Sequence, residues 1–414
     1  MKLTRIYIGL IALIILIDLY AFRGLNLLTA TVEDGLFSRL FPWLFWGISL
    51  IILAGLLWAG SVFPKLRNPR LYYRVTLLMG IFLMVYLPKL IFNVFQIPGD
   101  LVRLVSHLIP GDAQTDAIRV GFLYAGAVFG LLLFFAFAIG MAHGNTHIKI
   151  FREEIFLPGL PDALEALKIV QISDLHLAGF HNNTGHIQKV VGMVNSLKPD
   201  IIMFTGDMVN NFADELDPFI DILNELQGPL GKFAILGNHD YGDYYHWNSE
   251  MEKAKNFVRV KQQIRTAGFI LLADEHRTVS INGETINIVG VENRGKPPIK
   301  RYGDLQKAIK GLNHAAVNIL LSHDPYHWEE EIRENKTFDL TLSGHTHGMQ
   351  FGIEIGKLKW SLSRLQYRHW GGLLKENGKY LYVNRGIGYT GFPGRIGIRP
   401  EITLLTLKRE SVTK

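Results

Sequence analysis

Hydrophobic positions divide this chain into two regimes. Over its first 145 residues they fall into four long apolar stretches, at residues 6–22, 41–62, 75–95 and 120–141. Each approaches or exceeds the ~20 residues that a helix needs to cross hydrocarbon. Four membrane-spanning helices are therefore expected. Lys2 and Arg5 ahead of the first stretch would also suit a signal segment, but Asp18 interrupts it and no small-residue cleavage pattern follows cleanly. Lys89 lies in the third stretch beside Pro88, two turns from its end, where a lysine is expected to snorkel toward the interface.

From about residue 167 the pattern becomes strand, polar turn, helix. Short runs rich in Val, Ile and Leu occur at 169–172, 201–204, 233–236, 286–291, 319–321 and 340–342, with closing strands at 380–383 and 402–407. Bounded by Gly, Asp, Asn and Ser, they suit strands buried on both faces. Helical spacing appears at 186–197 and 218–226, where Pro199 and Gly228 provide the stops. The expected fold class is α/β, a mixed-sheet α/β sandwich preceded by an α-helical transmembrane region. The expected divisions are a membrane region over 1–145, a linker over 146–166 and a catalytic domain over 167–414. No internal repeat or low-complexity segment is present.

Charge adds an orientation. Lys2, Arg5, Lys65, Arg67, Arg70 and Arg74 flank one side of the four stretches, and the opposite loops are poorer in Lys and Arg. The basic side is expected to be cytoplasmic. An even number of spans returns the large C-terminal part to that side, at a cell inner (plasma) membrane. The formal net charge of +6 is mild for 414 residues. It fits a lipid surface or an anionic substrate, and no basic stripe suggests nucleic acid. The chain has no cysteine, which excludes disulfides and thiolate ligation and limits any metal site to N and O donors.

Five polar clusters follow the apolar runs directly: ISDLH at 172–176, FTGD at 204–207, LGNHD at 236–240, LLSHD at 320–324 and LSGHTH at 342–347. They offer Asp174, His176, Asp207, Asn238, His323, His345 and His347. Strand ends at one sheet edge lie together, so ligands far apart in sequence can build one site. Hydrolysis of a phosphate ester needs an activated water, a neutralised phosphoryl group and a stabilised leaving oxygen, which two adjacent divalent cations supply. Carboxylate, imidazole and amide oxygen are the donors such cations take. In an extended DxH the two flanking side chains point the same way, so Asp174 and His176 can grip one ion. Asp207, following Gly206, is placed to bridge two.

The ordered set DLH, GD, GNHD, a lone His and GHTH resembles the calcineurin-like metallophosphoesterases, over about residues 167–407. The wording KIVQISDLHL and RGIGYTGFPGRIGIRPEITLL is similar to the membrane-anchored branch that includes UDP-2,3-diacylglucosamine hydrolase-like enzymes. The resemblance implies one metal held by Asp174, His176, Asp207 and His347, and a second by Asp207, Asn238, His323 and His345. It implies a metal-bridging hydroxide attacking phosphorus, with His239 assisting the leaving group and the adjacent Asp240 as its acidic partner. Two divalent ions are expected, with Mn first and Fe or Zn as alternatives. Two positions depart from the pattern: Asn210 stands where some relatives have Asp, and Met349 where many have Gly.

Outside this set, His181 is a candidate rim contact, and Asn293 and Arg294 are candidate phosphate contacts or an ordinary turn. Segment 356–370, GKLKWSLSRLQYRHW, mixes basic and aromatic residues, which suits a membrane interface as well as a packed surface helix. The expected partners are the lipid bilayer and a phosphorylated, lipid-linked substrate. The expected activity is hydrolysis of a phosphodiester, pyrophosphate or phosphomonoester. The alternatives are a non-catalytic scaffold on the same fold, or a transporter or sensor with a phosphoesterase output.

Overall fold

The computed structural model describes residues 2–30, 35–62, 66–106, 114–180, 183–356 and 358–410; Lys65, His181 and Lys357 lie outside them. The chain forms two compact units, Met1–Lys65 with Arg74–Ala142, and Leu66–Tyr73 with His143–Lys414.

The first unit is built on four helices, α1 (Lys2–Ala30), α2 (Leu36–Val62), α3 (Pro69–Ser106) and α4 (Gln114–His143), of which the start of α3, to Tyr73, and His143 at the end of α4 belong to the second. All four are long and apolar enough to cross a membrane. Their exposed side chains are largely apolar, with Leu50, Ile51, Leu131 and Leu132 among them. The interior carries a polar ladder. On α3, Tyr86, Lys89, Asn93, Gln96 and Asp100 recur at spacings of three and four and so share one face. Lys89 does not snorkel as expected: its ammonium lies 2.6 Å from Asp18 Oδ1 and donates to Ser49 Oγ at 2.8 Å. Tyr86 donates to the other Asp18 oxygen at 2.8 Å. Asn93 and Gln96 donate to the carbonyls of Ile17 and Tyr20 at 3.0 and 3.1 Å. Tyr20 and Arg119 both reach Asp100, at 2.9 Å each. In hydrocarbon such groups must find partners within the protein, and here α1 supplies most of them.

The second unit stacks two six-stranded sheets. In the first sheet, β1 (Lys149–Leu157) is parallel to β14 (Glu401–Arg409), which is antiparallel to β2 (Lys168–Ile172). Beyond β2, the strands β3 (Ile201–Phe204), β4 (Lys232–Ala234) and β5 (Ile270–Leu271) run parallel to it. The second sheet has the order β12 (Gly372–Glu376), β13 (Lys379–Val383), β9 (Leu340–Ser343), β8 (Val317–Leu321), β7 (Glu284–Gly290) and β6 (Glu275–Ile281). Its two outer pairs are antiparallel and its inner pairs parallel.

Alternation along the strands fills the space between the sheets. Ile169, Ile201, Met203 and Phe233 from one sheet meet Ile286, Ile319, Leu340 and Leu342 from the other. The opposite face of the first sheet, with Val170, Ile202 and Phe204, is covered by α5 (Thr184–Ser196), α6 (Ile220–Asn224) and α7 (Glu250–Thr266). Two regions depart from expectation. The stretch read as a linker contains β1, paired along its whole length with β14. The described residues of segment 356–370 form no α-helix; they contribute a strand and a short 3-10 turn, beginning in the separate ribbon of β10 (Gly352–Ile355) and β11 (Leu358–Ser361).

Candidate metal centre

The turns after β2, β3, β4, β8 and β9 open on one rim, because these strands run parallel within their sheets and end on the same edge. All seven candidate ligands converge there. Asp174, His176, Asp207, His345 and His347 have positive φ, from 47° to 72°. Left-handed backbone is uncommon for such residues and clusters at functional sites. Gly206, at φ 95°, lets the turn before Asp207 pass close against Gly237, whose backbone a Cβ would strike.

One group of donors gathers around Asp174. His347 Nε2 lies 3.4 Å from Asp174 Oδ1 and 3.1 Å from His176 Nε2. A second gathers around His323, whose Nδ1 donates to the Thr205 carbonyl at 2.7 Å. Its Nε2 lies 3.2 Å from Asp207 Oδ2, 3.1 Å from Asn238 Oδ1 and 3.3 Å from His345 Nδ1. Asp207 Oδ2 is also 3.6 Å from His176 Nε2, so a single carboxylate adjoins both groups. Asp174, His176 and His347 each offer an atom within 4.8 Å of the others, as do Asp207, His323 and His345. Asp174, His176 and His323 are fully buried. Burial works against the Asp174 carboxylate, but the imidazoles of His347 and His323 outweigh it and hold its carboxyl below the usual range. Burial lowers the His176 pKa well below its ordinary value, leaving a neutral imidazole. Buried, convergent N and O donors of this kind fit divalent cations.

Against this geometry, the profile of the calcineurin-like phosphoesterases matches residues 167–349. That of the probable calcineurin-like phosphoesterase transmembrane domain matches residues 4–145. An uncharacterized metallophosphoesterase of Aquifex aeolicus is 32% identical over 281 residues, covering 67% of this chain and 98% of that protein. This chain belongs to the metallophosphoesterase family. YkuE of Bacillus subtilis, another uncharacterized metallophosphoesterase, is 30% identical over 256 residues, covering 60% of this chain and 82% of YkuE. A Danio rerio transmembrane protein with metallophosphoesterase domain is 28% identical over 322 residues, covering 75% and 69% of the two chains.

This metallophosphoesterase is thus a phosphoester hydrolase with Asp and His clusters able to hold metal, and its helices associate it with a membrane. Two features of the family site take a different form from the one expected here. Asp240 is not the partner of His239. Its carboxylate faces the other way and accepts the backbone N–H groups of Asp207, Met208, Val209 and Gly237 at 2.9–3.1 Å. Burial, reinforced by the Asp207 charge, pushes its pKa up to about 7. Adjacent residues in a tight turn point to different sides, so Asp240 pins the turns while His239 faces the rim. His239 Nδ1 donates instead to the backbone carbonyl of Asn210 at 2.9 Å. What holds the imidazole is therefore main chain, for which an Asn serves as well as an Asp. The Asn210 amide itself is bonded to the Tyr72 hydroxyl.

Three residues of the site escaped the sequence reading. Tyr244 stacks on His239, with ring centroids 4.3 Å apart, and its hydroxyl accepts from Asn238 Nδ2 at 2.7 Å. This fixes the amide so that Oδ1 faces His323. Tyr367 accepts from His345 Nε2 at 2.9 Å and donates to Asp324 Oδ2 at 3.3 Å, which leaves His345 Nδ1 free toward the centre. Arg395 donates to the carbonyls of Arg385 and Gly386 at 2.9 and 3.1 Å and lies 3.2 Å from His347 Nδ1. Burial brings its pKa down to about 10, so it stays charged near neutrality. The repeated Tyr after GNHD and the Gly-rich run before Arg395 were the available signals, and Tyr367 had none. Asn293 and Arg294 form a structural turn: Asn293 bonds the Lys300 carbonyl, and Arg294 pairs with Glu330 and Glu331.

Proposed function

We propose that this chain is a membrane-anchored phosphohydrolase with a dinuclear metal centre. One cation would be held by Asp174, His176, Asp207 and His347, and the other by Asp207, Asn238, His323 and His345. The observation that carries this reading is the Asp207 carboxylate, whose Oδ2 lies 3.6 Å from His176 Nε2 and 3.2 Å from His323 Nε2. It is the natural bridging ligand between two donor groups. A pair of divalent cations, Mn first and Fe or Zn as alternatives, would supply activated water near neutral pH and offset charge on the phosphoryl group. The protein holds the donors rigid through Thr205, Tyr244 and Tyr367. His239, held through Nδ1, has its other nitrogen available to pass a proton to the departing oxygen.

The substrate class is a phosphodiester, pyrophosphate or phosphomonoester carried on a lipid. Residues 1–145 would act as anchor in the inner (plasma) membrane, and 167–414 as the enzyme on the cytoplasmic face. What supports this is the apolar helices and the basic loops flanking one side of them.

Two variants test the chemistry. His239→Ala should keep its metal and lose turnover by about 10²–10⁴-fold, the usual range for a general acid. Asp207→Ala should lose both. Metal content by elemental analysis and hydrolysis of bis(p-nitrophenyl) phosphate with Mn²⁺ read the two effects separately. Undiminished turnover in His239→Ala would remove its assigned role, and full metal loading in Asp207→Ala would remove the bridge.

A further inference from the structure

Immediately beyond the last candidate ligand, His347, the chain makes the two-stranded ribbon β10–β11, which belongs to neither large sheet. Its register pairs Ile353 with Trp360 and Ile355 with Leu358. Because side chains alternate across a strand, these four residues form one face of the ribbon. The other face is Gly352, Glu354, Lys359 and Ser361, and it is tied to the domain. Glu354 lies 3.3 Å from the Arg385 guanidinium, and Ser361 donates to the Gly348 carbonyl.

The apolar face has no such cover. Ile353 is 46% exposed, Ile355 74%, Leu358 61% and Trp360 37%. Leu365, in the turn that follows, is 81% exposed. Two-stranded ribbons are marginal by themselves, and a contiguous exposed apolar face of this kind marks an interaction surface. Exposed Arg364 and Arg368, in the turn that follows, lie beside it. Beside them an open hollow of ≈ 500 Å³ is lined by Arg364, Gln366, Arg368 and His369 among others.

Segment 356–370 is thereby divided by the fold. Tyr367 and Trp370 point inward, where Tyr367 holds His345 and the Trp370 carbonyl accepts from Thr346. Only Leu358, Trp360 and Leu365 among its large apolar residues point out.

We propose that the β10–β11 ribbon is a membrane-inserting element, its apolar face entering the acyl boundary of a bilayer while the basic border meets anionic headgroups. Three observations favour lipid over a protein partner. The same chain carries four helices long enough to hold the domain at a membrane. The surface combines aliphatic and Trp side chains with a border of one charge sign, the pattern of interfacial elements. The carboxylate on the ribbon, Glu354, is turned inward to Arg385 rather than facing out. Ser361 of the ribbon bonds the carbonyl of Gly348, the residue after His347, so insertion would bring the lipid boundary toward the candidate centre. The benefit to a lipid-linked substrate rests on the phosphohydrolase reading above; the surface itself does not.

The chain has no cysteine, so a single introduced one is unique. Ile355→Cys, Leu365→Cys and, as reference, Ser280→Cys on β6 would be labelled with bimane in the full-length protein. Each would be reconstituted in nanodiscs of phosphatidylcholine and phosphatidylglycerol. Insertion to ~5–10 Å predicts that labels at 355 and 365 shift to the blue, resist aqueous iodide and are quenched by nitroxide on shallow acyl carbons. The label at 280 should behave oppositely. Labels at 355 and 365 as open to iodide as that at 280 would overturn the proposal. Protection that persists in detergent, with energy transfer between labelled copies, would assign the face to a second chain and overturn it equally. Turnover of bis(p-nitrophenyl) phosphate in the same nanodiscs reads the phosphohydrolase assignment independently.

Discussion

At the scale of single residues, the site depends on groups that orient ligands as much as on the ligands. The Tyr367 hydroxyl accepts a hydrogen bond from His345 Nε2 and donates one to Asp324, fixing the tautomer that leaves Nδ1 for a cation. Tyr367→Phe should weaken metal binding at the Asn238–His323–His345 group by about 10–100-fold, the usual cost of losing such a partner. Calorimetric titration with Mn²⁺ would measure it; unchanged affinity for both ions would discard the role. The candidate ligands were legible because each follows an apolar run as a cluster with few interpretations. Tyr367 was not, since nothing in a basic aromatic segment marks one ring as turned inward. Asp240 was misread for a related reason: adjacency to His239 in sequence says nothing of which way a turn points each side chain.

At the scale of elements, the buried strands could be read because burial on both faces produces short unbroken runs of Val, Ile and Leu. β1 could not. Its sequence KIFREEIFL places Arg152, Glu153 and Glu154 at its middle, as an edge strand with only one neighbour allows. The β10–β11 ribbon was equally hidden, because its alternation spans only four residues per strand. In the membrane unit, hydropathy gave the four helices but not their polar ladder. Asp18 accepts from both Lys89 and Tyr86, so Asp18→Ala would strand a buried ammonium. The expected loss is about 3–5 kcal/mol of stability in that unit, as when one member of a buried pair is removed. Replacing Lys89 by Met in the same chain should restore much of it. Unfolding in bicelles would measure both, and an Asp18→Ala protein as stable as the parent would show the pair to be dispensable.

At the scale of the whole molecule, the two units have separate cores and are expected to unfold separately. Only one carries the candidate metal ligands. Chelation should therefore lower one thermal transition and leave the other in place. The stabilisation at stake is about 2.7 kcal/mol when free cation stands at a hundred times its dissociation constant. Differential scanning calorimetry in detergent, with and without EDTA, would separate the two. Equal shifts in both transitions, or none, would argue against the metal centre lying in the second unit. The sheet order has a consequence of another kind. β14 lies between β1 and β2 and, among the described residues, is the only strand paired with β1. During synthesis β1, the first strand after the four long helices, waits without this partner until residues 401–409 have left the ribosome. Termination just before β14 would leave β1 unpaired and the neighbouring edge of β2 open, a ready substrate for chaperones and for the proteases that clear unfinished chains.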